Sequence, residues 1–362
     1  MSGTSQNPIV RLLQKMRLEP ILVILDLIRF GMGALVLVLI GRTPAISHRS
    51  LSSLLVRTRG RFHDRVGRLL AALYPPYHFP RRSGVLGSLA PKDLQEINQQ
   101  LDSKGYYVFP ERIPAPVCDR IAEKTRSLDA LLCADELTEG TRLQKYDPLR
   151  PEAPKYLIDG DDAFDMPEIQ GLIRDLSLLE VAQNYLRAKP ILTGVGFWWS
   201  TAVKKAADES VGQKYHFDME RIKWIMFFIY LTDVDEGHGP HCFIEGSHRA
   251  GAIPPELLSK GYARISDDET AKYFPKEKHK EFVGRRGTII AEDSRGLHKG
   301  KPPTDGDRLL ICLEFSSSTF GAMKRYKLRA IRDPELAPAV RAYPRIYSNF
   351  DLSPLARSQL RT

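Results

Sequence analysis

Tyr215-His216-Phe217-Asp218 opens the stretch 215–315, which closes with Gly296-Leu297-His298 and then with Arg308 at the head of an apolar run. His216 and Asp218 lie two apart, and on an extended strand residues i and i+2 point to the same face. An imidazole and a carboxylate so placed reach one metal ion together. A second histidine from a strand far along the chain would complete a two-histidine, one-carboxylate face with open coordination positions. That arrangement belongs to non-haem Fe(II) oxygenases. The pair alone is weak, so its context decides.

The surrounding periodicity is that of strands. Apolar runs at 191–203, 222–232, 241–245, 287–292 and 308–316 are separated by Gly, Pro and Asp turns. Ile222 to Leu231 is apolar on both faces, the mark of a central strand. Upstream the period is helical. Pro91 to Leu101 reads as a helix stopped by Ser103-Lys104-Gly105. The β-rich run Tyr106–Phe109 follows, then a second helix over 114–132, a polar loop-rich stretch over 134–165, and a long helix over roughly 167–187. Helices first and strands afterwards predict an α+β fold with a sandwich or jelly-roll core. Residues 250–282 form a long charged insertion, the expected lid and the expected selector of substrate. One of Trp198 and Trp199 should face the core and the other the cavity or outer sheet.

The 362 residues carry a net charge of +9, unevenly spread. Residues 1–82 hold thirteen Lys/Arg against Glu19, Asp26 and Asp64, whereas the remainder is nearly neutral. Such an arm suits an anionic surface. No nucleic-acid module is visible and no aromatic residues interleave with the arginines, so nucleic acid is not expected. Residues 8–18 read as a basic amphipathic segment, and residues 20–41 are apolar but for Asp26 and Arg29. The Leu, Ile, Val and Phe of that run contribute roughly −0.3 to −0.6 kcal/mol each to insertion, and two central charges cost roughly +2.5 to +3.5 each. The balance lies near zero. Spanning, lying on and avoiding a membrane all stay open, with a cytoplasmic enzyme peripheral to a membrane as the expected setting and a mitochondrial transit segment as the alternative. Cys118, Cys133, Cys242 and Cys312 have no paired spacing and read as buried free thiols in a reducing compartment. The division expected is an arm over 1–87, a catalytic domain over 88–330 and a surface tail over 331–362.

The motifs, in order and spacing, resemble the phytanoyl-CoA dioxygenase family of Fe(II)/2-oxoglutarate oxygenases. They are Leu101-Asp102-Ser103-Lys104-Gly105-Tyr106-Tyr107-Val108, His216-Phe217-Asp218, Tyr230-Leu231-Thr232-Asp233-Val234-Asp235, Gly239-Pro240, Gly246-Ser247-His248-Arg249, Gly287-Thr288, Asp293 to Gly300, and Arg308. The resemblance implies a double-stranded β-helix with His216, Asp218 and His298 as iron ligands. It implies Arg308 on the distal carboxylate of 2-oxoglutarate, and O2 as cosubstrate. Some relatives carry a hydroxyl two residues after the second histidine, where this chain has Gly300. Thr232, Ser200 and Lys204 are the candidates for the missing carboxylate contact. Related halogenases lack the carboxylate ligand, so Asp218 points to hydroxylation, of a small or lipid-linked substrate. Two rival readings remain: a cupin-like metal or sugar-binding jelly roll, and a catalytically silent, membrane-docked interaction protein. His238, His241 and Cys242 lack the spacing of a zinc site.

Overall fold

The computed structural model describes residues 8–80, 83–133, 143–203, 207, 211–261, 265–322, 324–353 and 355, with side chains from residue 18 onward. Lys204 and the Arg81-Arg82 pair fall outside these. Three helices lead, α1 (Pro8–Ile40), α2 (Ala45–Thr58) and α3 (Arg61–Leu73). Arg59 and Gly60, with φ of 51° and 83°, break α2 from α3. A hairpin of β1 (Ser83–Gly84) and β2 (Gly87–Ser88) precedes α4 (Pro91–Lys104), which stops at left-handed Gly105 as the sequence predicts. Then come β3 (Tyr106–Arg112), α5 (Ala115–Arg126), β4 (Asp129–Cys133), β5 (Leu143–Lys145) and β6 (Lys155–Ile158).

Two sequence expectations change here. The helix expected over 114–132 ends at Arg126, because Ala130 and Leu132 alternate with more exposed neighbours and pair as β4. The long helix near 167–187 is two: after the short α6 (Gly160–Ala163), α7 (Pro167–Ile173) is followed by α8 (Leu176–Leu186). Asp175 causes the break. Its carboxylate accepts from the amides of Ser177 and Leu178 at 3.0 and 3.1 Å, so it caps a new helix instead of continuing the old one.

Then follow β7 (Ile191–Ser200), β8 (Trp224–Tyr230), β9 (His241–Ile244), β10 (His279–Phe282), β11 (Thr288–Glu292), β12 (His298–Gly300) and β13 (Arg308–Ser316), and a separate parallel pair, β14 (Tyr326–Lys327) with β15 (Phe350–Asp351). Eight strands form one antiparallel sheet in the order β3-β11-β8-β13-β7-β6-β4-β5. A small sheet, β10-β9-β12, is extended by an antiparallel bridge between His216 and His298. The core is a jelly roll, and the fold is α+β as expected.

Strand alternation divides the large sheet's side chains between two duties. Leu309, Ile311, Leu313 and Phe315 of β13 join Ile225, Phe227 and Ile229 of β8 in the main core beneath α8. Arg308, Leu310, Cys312 and Glu314 point the other way, into a cavity. Trp199 lies in the core, stacked 4.1 Å from Tyr146, and Trp198 faces the cavity.

The chain beyond residue 330 is more than a surface wrap. Leu336, Val340, Ile346 and Phe350 are buried in the main core. The 250–282 insertion is packed as well: Ile253, Leu257, Ile265 and Phe274 form a second cluster with Tyr215, Phe217 and Leu297. All four cysteines are free; three are buried and Cys133 is half-buried.

Candidate metal and carboxylate site

The extended segment 215–218 alternates as its sequence predicts. Tyr215 and Phe217 turn into the insertion cluster, and His216 and Asp218 turn into the cavity. His216 and His298 face each other and exchange both backbone hydrogen bonds, at 3.0 and 2.9 Å. Their rings sit 4.2 Å apart, and Asp218 Oδ2 lies 3.8 Å from His298 Nε2. One donor atom from each of the three residues falls within 4.8 Å of the others. Among the described residues this is the one such cluster.

The surroundings suit these side chains to binding a metal. His216 Nδ1 lies 2.9 Å from the Lys214 carbonyl and His298 Nδ1 lies 3.0 Å from that of Gly296. Each Nδ1 therefore carries the proton and leaves the Nε2 lone pair for a metal. Burial holds both imidazoles below the usual histidine range, in the neutral form that binds metal. Burial also pushes Asp218 up to about 7, against a hydrogen bond from Ser294 that lowers it. Ser294 is itself oriented, because its hydroxyl accepts from the Trp224 indole N–H and so turns its proton to Asp218. A buried carboxylate between two neutral imidazoles lacks a positive charge. A divalent iron supplies it, and the donor set fits one.

Arg308 is 3% exposed. Its Nη1 donates to the Gly239 carbonyl and its Nη2 to Ser200 Oγ at 3.3 Å, and its Nε is buried with no partner. It forms no ion pair with any described carboxylate. A buried guanidinium so placed is completed by an anion. Lys155 shares the lack of an acid. Strand register sets Lys155 opposite Ser200 and Ser200 opposite Arg308, so the three form one row across β6, β7 and β13. Among the described residues the Lys155 ammonium has no acidic partner; it rests 4.7 Å over the Trp198 ring. Burial, more than any neighbouring charge, lowers its pKa.

Of the candidate contacts, Ser200 is in the cavity. Thr232 is not: its hydroxyl accepts from the Leu309 amide at 3.0 Å. Gly300 explains itself, since a Cβ there would stand 3.0 Å from Arg308 Nη2. Lys155 and Glu292 escaped the sequence reading, and His241 entered it only beside His238 and Cys242, as lacking the spacing of a zinc site. His241 Nε2 lies 2.7 Å from Glu292 Oε2, both are buried, and Glu292 Oε1 is 3.8 Å from His298 Nδ1. Burial pushes Glu292 up to about 8 and His241 down to about 3. The one available signal was Glu292 in an otherwise apolar strand.

The cavity has a volume of about 890 Å³. Arg308 and Lys155 make one region cationic, Leu157, Trp198, Met226 and Phe228 line apolar walls, and Glu314 lies three cavity-facing positions along β13 from Arg308. At ~3.3 Å per residue that is a run of ~20 Å. No described residue of the 250–282 insertion lines it. The cavity's described lining outside the large sheet and the metal face comes instead mainly from residues 154–162, 211–213 and 324–326.

A jelly roll carrying a two-histidine, one-carboxylate face beside an unmatched buried arginine defines a non-haem iron, 2-oxoglutarate-dependent enzyme. The family model for phytanoyl-CoA dioxygenase matches residues 101–309, and the chain belongs to that family. No curated protein sequence matches the chain. Similar solved structures include the α-ketoglutarate-dependent epimerase SnoN of nogalamycin biosynthesis, at 18% identity and TM-score 0.46, covering 63% of this chain and 84% of that one. HygX from Streptomyces hygroscopicus, with nickel and 2-oxoglutarate bound, is 17% identical with TM-score 0.44, covering 67% and 92%. EctD from S. alaskensis with bound iron is 15% identical with TM-score 0.43, covering 67% and 83%.

Proposed function

We propose that this enzyme hydroxylates an unactivated C–H bond of a small or lipid-like substrate, converting 2-oxoglutarate to succinate and CO2. The observation that carries the reading is the shared cavity: the metal face and the Arg308–Ser200–Lys155 row open onto the same space. His216, Asp218 and His298 hold the iron, which supplies O2 activation when bound. Arg308 and Ser200 take the distal carboxylate of 2-oxoglutarate. Lys155 adds a second positive charge in the same row and so helps to neutralise a dianion. The apolar walls exclude water and aim the substrate. A full carboxylate ligand at Asp218 favours return of a hydroxyl over halide transfer.

The test is substrate-dependent succinate formation by the iron-loaded protein, screened against small polar and lipid-like candidates. Succinate with a hydroxylated product is expected. An iron-loaded protein that binds 2-oxoglutarate and never turns it over, with or without substrate, would sink the oxygenase reading and favour a non-oxidative jelly roll.

A further inference from the structure

Helix α1 contains a 23-residue, mainly apolar run, Leu18–Ile40, whose most apolar 18 residues have mean hydropathy 2.4. At ~1.5 Å per residue it is ~35 Å long, enough for a hydrocarbon core of ~30 Å. Length and composition therefore permit a span, and the contacts of α1 decide otherwise. At one end Glu19 pairs with Arg57 of α2. Further along, Asp26 is buried, accepting from Ser53 Oγ at 2.6 Å and lying 3.4 Å from Arg57 Nε. At the middle, Phe30 packs 4.8 Å from Phe320 of the catalytic body and 5.0 Å from Phe62 of α3. Gly33 lets α2 approach so closely that a Cβ there would collide with the Ser47 side chain. Just past the far end, Thr43 Oγ1 accepts from the Gly321 amide at 3.0 Å.

The helix is thus strapped lengthwise to α2, α3 and the catalytic body, with polar groups among its contacts. Crossing a bilayer would carry Arg57, Ser53 and Ser47 into hydrocarbon, where unmatched polar groups cost several kcal/mol each. The opposite face is apolar from end to end: Ile24, Ile28, Met32, Leu35 and Leu39 are each more than half exposed, far beyond the scattered apolar residues of an ordinary surface. Among the described residues, the one ionised side chain near the middle of that outer surface is Arg29, and it leans back toward Asp26 at 3.8 Å. Arg42 and Arg49 are exposed beyond its C-terminal end, and the arm as a whole carries ten more positive than negative charges.

We infer that α1 is an in-plane anchor that lays its outer face on an anionic lipid bilayer without crossing it. The apolar face enters the boundary between headgroups and acyl chains, and the flanking arginines meet lipid phosphates. This inference is independent of the chemistry in the cavity.

The full chain, purified and iron-loaded, is mixed with vesicles of phosphatidylcholine alone and of phosphatidylcholine with phosphatidylglycerol, and co-sedimented. Binding is expected to be several-fold stronger to the anionic vesicles. The triple variant Ile24→Glu, Ile28→Glu, Leu35→Glu should lose at least ~10-fold in partitioning, with metal binding and thermal unfolding unchanged. Equal partitioning of variant and parent overturns the proposal. So does a parent that is a stable dimer in solution, ignores vesicles and becomes monomeric in the variant, which would make a second copy the occupant of the face. Topology is read with Ser5→Cys in a Cys133→Ser background on sealed vesicles. An impermeant maleimide should label the introduced thiol fully before lysis; protection until lysis would mean a span and overturn the in-plane placement.

Discussion

Arg308 is buried and Lys155 half-buried, both cations without acids among the described residues, and their variants should separate cosubstrate binding from metal binding. Arg308→Gln should raise the KM for 2-oxoglutarate by about 100-fold, which corresponds to ~2.7 kcal/mol, within the range for a buried charge pair that loses one partner. Iron affinity should stay within a few-fold. Lys155→Met should raise the same KM by ~10-fold; an unchanged KM with altered substrate preference would assign Lys155 to the substrate instead. Ser294→Ala removes the hydrogen bond that orients Asp218 and should weaken iron binding by ~10- to 100-fold, read by metal competition with 2-oxoglutarate at saturation. The convergence of His216, Asp218 and His298 was legible in the sequence because a His-x-Asp, a later histidine and Arg308 stand in a fixed order. Lys155 was not legible. Its role comes from lying in register with Ser200 and Arg308 across strands far apart in the chain, and no local pattern encodes that pairing.

Elements were legible where one period ran long enough. The central β8 and the strand over 308–316 follow from apolar patterning alone. Patterning failed where a single polar residue overrules it. Asp175 lies inside a continuous helical signal, yet its carboxylate caps α8 and also accepts from the Val85 amide at 2.9 Å, tying the β1–β2 hairpin to the helix. Asp175→Ala should lower stability by about 1–2 kcal/mol in urea unfolding, more than a surface cap because two elements lose a partner. The insertion over 250–282 reads as a lid from its length and place in the barrel, and its buried Ile253, Leu257, Ile265 and Phe274 pack it against Tyr215 and Phe217, on the side of that segment away from the cavity.

At the scale of the molecule, the arm and the catalytic body are joined by a charged seam. Arg295 binds Asp293 at 2.7 Å and reaches Asp64 of α3 at 2.8 Å, and Asp293 also accepts from the Tyr185 hydroxyl. His63 lies beside this seam with both ring nitrogens unpartnered. Burial first, then Arg295, drives its pKa down to about 3. The folded chain keeps His63 neutral while the unfolded chain protonates it below about 6.5. Its contribution is therefore whole above pH 6.5 and is lost progressively as pH falls toward 3. His63→Leu should gain up to about 2 kcal/mol relative to the parent at pH 5 compared with pH 8, since each pH unit in that window is worth about 1.4 kcal/mol. A constant difference at both pH values would place the proton elsewhere.

The bridge between His216 and His298 joins two things usually kept apart. The same pair of residues closes the small sheet through its backbone and turns its side chains to the candidate metal site. Their two amide protons are therefore gauges of occupancy. In deuterated buffer both should exchange slowly in the iron-loaded chain and markedly faster after chelation, while amides in the middle of β8 and β13 stay dark on either side of the change.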